Sequence, residues 1–101
     1  MSHIRSVPSR VALEAGGEAT VAVAFEFSGH HAAVRSARRL LKDALVCVRI
    51  DWADGAHTSL PGTVASSDDA GLESVTHVDV SAIEDDWRPF LAYVGPAIHV
   101  N

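Results

Sequence analysis

FSGHHAAVRSARRLLKDAL, residues 27–45, is the segment of the chain with the clearest helical pattern. Ser28 stands where an N-cap residue accepts a hydrogen bond from the first turn of a helix. Small and apolar residues then recur at the three- and four-residue spacing of a helix face that packs on a core. They are Ala33, Ala37, Leu40, Leu41 and Ala44. The sequence therefore predicts one amphipathic helix here.

Cationic residues form a second stripe along the same predicted helix. They follow one another at i, i+3, i+4 and i+7 and are Arg35, Arg38, Arg39 and Lys42. Such a stripe is either a solvated face or the receptor for an acidic segment. The chain also contains an acidic run beside aromatic residues, a residue type enriched in protein interfaces. That run is Glu84, Asp85, Asp86, Trp87 and Phe90.

These two oppositely charged segments predict a partner interface. We expect them to meet between two copies of the chain, in a homodimer held by aromatic burial and oriented by charge. The alternative is that they meet within one chain, which would leave a monomer.

The segment before the predicted helix alternates apolar and polar residues, as a half-buried strand hairpin does. A two-residue turn at Gly16–Gly17 would pair Leu13 with Thr20 and put the two apolar sets on opposite faces. A three-residue loop over 16–18 pairs Leu13 with Val21 and keeps both sets on one face. Because a slip of one residue inverts every side chain, we predict the three-residue loop.

The segment after the predicted helix, LVCVRIDWADGAHTSL (residues 45–60), is a second predicted hairpin. A three-residue loop over 53–55, with Gly55 in the left-handed region, gives the more apolar inner face. This register places Asp51 opposite His57 on the outer face.

The rest of the chain is less regular. Residues 61–73 are rich in turn formers and predict a mobile loop. A further strand follows, and Ser81–Glu84 matches a capping box that begins a short helix. Two hairpins around one helix predict an α+β fold. We expect a two-layer domain, with one main helix on a mixed or antiparallel sheet of four to six strands.

This order of elements, ββαββ-β, is β-grasp-like, and a split βαβ sandwich is the alternative. We expect a single domain over residues 1–101, in which residues 1–9 form a flexible arm. The residues expected to form the core together are Val21, Val23, Phe25, Leu41, Val48, Ile50 and Val80.

Charge and composition exclude several classes of protein. The net charge is −5, and the first 50 residues carry +3 (7 Lys or Arg, 4 acids) while the remainder carries −8 (1 Arg, 9 acids). A nucleic-acid-binding domain is expected to be basic, so that class is disfavoured. No apolar run approaches the roughly 18 residues of a membrane-spanning helix, and no apolar signal segment is evident. The single cysteine, Cys47, favours a reducing compartment, the cytoplasm.

The adjacent histidines His30 and His31 would lie at the start of the predicted helix. Consecutive helical residues point about 100° apart, so the two rings could not easily share a metal ion. They are interpreted as solvated polar residues, with ligand binding as the alternative.

Two other polar pairs could carry chemistry. His77 and Asp79 share one face of a strand and, with a distant His99, follow the order of an iron-binding facial triad, but this pattern arises easily by chance. Asp51 and His57 could form an acid–base dyad, although a cross-strand polar pair explains them as well. The sequence therefore predicts no metal and no cofactor.

The function predicted from the sequence is a small cytoplasmic, non-catalytic binding or accessory module that acts through protein–protein contacts and self-associates. The expected partner is a protein or a second copy of the chain, and neither nucleic acid nor a membrane. The alternative is a small enzyme or small-molecule-binding protein that uses His30 and His31, or Asp51 with His57, in a cleft beside the helix.

Overall fold

The computed structural model describes residues 8–81 and 92–94, and every regular element in them is a β-strand. The strands are β1 Pro8–Ala15, β2 Glu18–Ser28, β3 His31–Ser36, β4 Leu45–Trp52, β5 His57–Ala70, β6 Glu73–Val80 and β7 Ala92–Val94. The prediction of an α+β domain with one main helix is therefore wrong. Within the described ranges there is also no helix long and apolar enough to cross a membrane.

The strands form a closed, six-stranded antiparallel barrel. Their order is β1-β4-β5-β6-β3-β2, and pairing between β1 and β2 closes the circle. Two hairpin-linked triplets, β1-β2-β3 and β4-β5-β6, are joined by the connection 37–44. β7 pairs with the second half of β2, where β1 no longer runs beside it.

The inward-facing side chains fill the barrel. The largest fully buried ones are Phe25, Leu13, Ile50, Leu60, Val11, Val34, Val48, Val64 and Val78. Removal of this apolar surface from water is the main driving force for the fold. The prediction that these residues belong to the core is confirmed for Phe25, Val48, Ile50 and Val80, which are buried. It is wrong for Val21 and Leu41, which are 43% and 80% exposed, and Val23 is half-buried.

The predicted helix is divided between β3 and the connection 37–44. In β3, Ala32, Val34 and Ser36 face the interior, and His31, Ala33 and Arg35 alternate with them on the outer face. The strand is paired on both sides, to β2 and to β6. Its ladder hydrogen bonds and the burial of Val34 outweigh the helical spacing, because strand formation depends on tertiary context.

The β1–β2 hairpin has the two-residue turn, so the predicted three-residue loop is wrong. Gly16 and Gly17 have φ values of 61° and 82°, as a type I′ turn requires, and Leu13 pairs with Thr20. The buried apolar residues of β1 and of β2 nevertheless face the same barrel interior. Val23 is an extra residue in β2 that β3 does not match, and beyond this bulge Phe25 and Phe27 face inward.

The β4–β5 hairpin has the predicted register. Asp51 pairs with His57, and Val48 with Leu60. Gly55 has a φ of 93°, in the left-handed region that the three-residue loop requires.

Residues 57–70 form β5, so most of the segment expected to be a loop is part of the barrel wall. Ala65 is an extra residue between Val64 and Ser66 that β6 does not match, and this bulge reverses which residues face outward. The short helix expected after Ser81 and most of the N-terminal arm lie outside the described residues, and residues 8 and 9 belong to β1.

Candidate functional site

Two histidines and two aspartates form a continuous chain of polar contacts across the outer faces of β3, β5 and β6. Nε2 of His31 lies 3.0 Å from Nδ1 of His77. Nε2 of His77 lies 3.1 Å from Oδ2 of Asp68. At the other end, Nδ1 of His31 lies 3.7 Å from Oδ1 of Asp79. We call these four residues the His–Asp cluster.

Strand register explains why these residues meet. His31 pairs directly with Asp79, and Ala33 pairs with His77, so the two histidines are diagonal neighbours on one face. Diagonal neighbours on paired strands are within reach of long side chains. Asp68 reaches His77 from β5 because the bulge at Ala65 turns it to the outer face.

The cluster is accessible to solvent. The side chains of His31 and His77 are 46% and 26% exposed, and the two carboxylates are about 70% exposed. The imidazole planes are inclined by 24°, with ring centroids 5.1 Å apart. Two nitrogen atoms from different strands are thus held close together at a surface that small solutes can reach.

The hydrogen-bond pattern fixes the proton positions of the neutral rings. A carboxylate only accepts hydrogen bonds, so Nε2 of His77 carries the proton donated to Asp68. Nδ1 of a neutral His77 then has a free lone pair, and Nε2 of His31 must donate to it. Nδ1 of His31, which faces Asp79, is therefore the unprotonated nitrogen of that ring.

A shallow groove of about 300 Å³ begins at His77 and runs across β6, β3 and β2. Its lining includes the small and aliphatic residues Ala24, Ala33 and Val75 and the charged residues Glu26 and Arg35. Arg35 is already close to an acid, since Nη1 lies 4.0 Å from Oε1 of Glu73.

The adjacent histidines predicted as one site are separated in the structure. His31 is the first residue of β3 and belongs to the His–Asp cluster, whereas His30 lies in the β2–β3 turn. The carbonyl of His30 accepts a hydrogen bond from the amide of Val80. The two rings therefore do not act as a pair, and neither is at the start of a helix.

The other two predicted pairs fare differently. His77 and Asp79 do share one outer face, but the third residue beside them is His31, and His99 lies outside the described residues. Asp51 and His57 are backbone partners. The Asp51 carboxylate, however, accepts a hydrogen bond of 3.1 Å from Nε of Arg49, and His57 is exposed.

The predicted cationic stripe does not exist as a helix face, because these residues lie on β3 and the connection 37–44. Arg38 donates to the carbonyls of Ala15 and Glu18, at 3.0 and 3.3 Å. Arg39 forms an ion pair of 2.7 Å with Asp69. Lys42 is exposed, and within residues 8–81 and 92–94 it has no ion pair. The acidic run 84–86, Trp87 and Phe90 lie outside the described residues, so their pairing with this surface stays a prediction.

The connection 37–44 is fixed in place although it has no regular structure. The amide of Asp43 donates to the carbonyl of Val64, and the amide of Val64 donates to the carbonyl of Ala44. Ser67 donates from its hydroxyl to the carbonyl of Leu40, whose side chain is buried.

Leu41 in this connection and Leu45 directly after it project into solvent. Leu41 is 80% exposed, and Leu45, the first residue of β4, is 81% exposed. Leu45 also lines a groove of about 460 Å³ between the β1–β2 turn and β4, together with Glu14, Glu18 and the half-buried Cys47. We call Leu41, Leu45 and Lys42 the connection surface.

Residues 8–81 and 92–94 include no group of three or more His, Cys, Asp or Glu side chains arranged around one metal ion. Comparisons with protein-family models, curated proteins and solved structures found no significant match to the chain. The two surfaces, the His–Asp cluster and the connection surface, are therefore interpreted from their own geometry.

Proposed function

We propose that the protein is a small, non-catalytic binding module that acts through protein–protein contacts and self-associates. The observation that supports this proposal best is the exposure of Leu41, in a connection whose backbone is held by the barrel, and of Leu45, at the start of β4. The barrel interior is filled by its own side chains, so a binding role falls to the outer surface.

A fixed backbone favours association because less conformational entropy is lost when the partner binds. The backbone around Leu41 is held by Val64, and Arg38 ties the same connection to the β1–β2 turn. The leucines thus offer apolar surface that is already in position, which is the main source of affinity in an interface core.

A second copy of the chain is the partner that charge favours. The first 50 residues carry +3 and the remaining residues −8, so complementary charge is available between two copies, although Arg35, Arg39 and Arg49 already lie near acids of their own chain. Exposed ion pairs are worth only about 0–1 kcal/mol each, so the charge of Lys42 would orient the copies and the leucines would hold them. The single cysteine supports placing this assembly in the cytoplasm.

The alternative function, a small enzyme or small-molecule-binding protein, is supported by a different observation. His31 and His77 converge beside a groove of about 300 Å³. The Asp51–His57 version has less support, because Arg49 already binds the Asp51 carboxylate.

Sedimentation velocity over a range of micromolar concentrations tests the proposed self-association. The wild type should form a dimer, and a Leu41→Ser, Leu45→Ser double variant should need much higher concentrations to do so. Leu72→Ser is the matched control, because Leu72 is fully exposed but lies in the β5–β6 turn. A wild type that stays monomeric, or a double variant that dimerises like the wild type, would refute the proposal.

A further inference from the structure

We infer that His31 and His77 bind one transition-metal ion of the kind that prefers imidazole, Zn²⁺ or Cu²⁺. The ligand atoms are Nε2 of His31 and Nδ1 of His77. On the opposite sides of the rings, Asp68 accepts a hydrogen bond from His77, and the Asp79 carboxylate lies 3.7 Å from Nδ1 of His31. This site is independent of the connection surface. It also differs from the expectation of no metal, because the two ligands lie 46 residues apart in sequence and only the barrel brings them together.

The distance between the two ligand nitrogens is close to the distance between two histidine nitrogens that bind the same zinc ion. Zinc binds histidine nitrogen at about 2.0–2.1 Å, so two such ligands in a tetrahedral arrangement lie roughly 3.3 Å apart. The observed separation is 3.0 Å. The rings must therefore move apart by a few tenths of an ångström and turn both lone pairs toward the ion. Their partial exposure leaves room for this rotation.

The two carboxylates supply the support that metal-binding histidines usually have. Such a histidine generally donates its other ring N–H to a carboxylate, a carbonyl or water, which fixes the tautomer and orients the ring. Asp68 already accepts from Nε2 of His77 at 3.1 Å. Asp79 lies directly opposite His31, 3.7 Å from its Nδ1. The two negative charges also balance the charge of a divalent cation.

When the metal ion binds, only His31 has to change which of its ring nitrogens is protonated. Without the ion, the proton of a neutral His31 is on Nε2 and is shared with His77. When the ion binds, this proton leaves Nε2 and His31 takes up a proton on Nδ1, which then donates to Asp79. Both ligand nitrogens are now unprotonated, as metal coordination requires, and neither ring changes its net charge.

Two protein ligands leave the other coordination positions to water. This agrees with the finding that no third His, Cys, Asp or Glu of the described residues joins these two in one metal-binding group. The ion is therefore expected to be exchangeable and at the surface, unlike a structural zinc that closes its coordination with four side chains.

Isothermal titration of the purified protein with zinc chloride and with copper(II) chloride tests the inference. The wild type should bind one equivalent of each ion, and His31→Ala and His77→Ala should each abolish this binding. His57→Ala and His30→Ala are the matched controls, because both are exposed histidines outside the cluster, and they should bind like the wild type.

Asp68→Asn tests the role of the carboxylate as a positioning group. It keeps both ligand atoms and should weaken binding by about 10- to 100-fold, the usual effect of such a change. Electron paramagnetic resonance of the copper complex adds a structural readout. Two nitrogen ligands are expected in the wild type.

Several results would overturn the inference. Absence of binding in the wild type is one. Another is binding of one equivalent of the metal ion by His31→Ala or by His77→Ala, which would assign the ion to other histidines. Circular dichroism of both variants separates loss of a ligand from loss of the fold. Both side chains lie on the outer face of the barrel, so neither is expected to be needed for folding.

Discussion

The wall of the barrel and the connection 37–44 are held in place by different interactions. In the wall, alternate residues are buried and paired on both sides, as in β3 between β2 and β6. In the connection, Leu40 is the buried apolar side chain, and the backbone is held by hydrogen bonds to Val64, Ser67 and the β1–β2 turn. Stability therefore depends mainly on the wall, while the connection is free to present apolar side chains to solvent.

The largest effect is expected for Leu60→Ala in the wall. Leu60 is fully buried and pairs with Val48 across the β4–β5 hairpin. Truncation of a core leucine leaves a cavity and typically costs about 2–5 kcal/mol of unfolding free energy. Urea denaturation measures this, and a loss below about 1 kcal/mol would mean that the interior is less tightly packed than described.

A smaller loss is expected for Gly62→Ala, also in the wall. A methyl group at Gly62 would lie 2.5 Å from the carbonyl oxygen of Asp79 and 2.7 Å from Cγ1 of Val78. β5 and β6 would have to separate, and such overpacking costs about 1–3 kcal/mol. Thermal and urea denaturation should both show the loss. Unchanged stability would mean that the two strands lie further apart here.

In the connection, Arg38→Ala should have an intermediate effect. Its guanidinium group holds the carbonyls of Ala15 and Glu18 at the β1–β2 turn, and hydrogen bonds from a charged donor exceed neutral ones in strength. Because Arg38 is partly exposed, we expect the substitution to lower the unfolding free energy by about 1 kcal/mol. Arg39→Ala is the control, because the exposed pair with Asp69 contributes about 0–1 kcal/mol. Equal losses in the two variants would refute the role assigned to Arg38.

The smallest effect is expected for Leu41→Ala. Leu41 is 80% exposed, so its truncation should change the unfolding free energy by less than about 0.5 kcal/mol. The helix predicted from the sequence would instead have made Leu41 a core residue, with a loss of about 2–5 kcal/mol. Denaturation of a dilute, monomeric sample distinguishes the two, and a large loss would show that the connection is packed differently.

The sequence allowed correct prediction of structure where local chemistry determines it. The β4–β5 register followed from Gly55 and the alternation of Val48, Ile50 and Trp52. Only one register puts the apolar residues of both strands on the inner face. The β1–β2 register failed because the bulge at Val23 reverses the alternation within β2. A pattern read with a fixed period of two cannot reveal such a change.

The predicted helix failed for a different reason. The start of the segment also fits a strand, with Ala32, Val34 and Ser36 on one face, and only the neighbouring strands β2 and β6 select the strand over the helix. The His–Asp cluster was only partly predictable. His77 and Asp79 are visible as an alternating pair, but their contact with His31 depends on the pairing of β3 with β6, which joins distant segments.

The bulge at Ala65 has a consequence for how this protein can change in evolution. Loss of that single codon would leave every residue of the His–Asp cluster in the gene. Because Ala65 is the residue that β6 does not match, Val64 would stay opposite Val78 and Ser66 opposite His77, and Asp68 would still face solvent. An in-frame deletion of this one small residue would thus straighten β5 and keep the Asp68–His77 contact, so a chain one residue shorter can carry the same cluster.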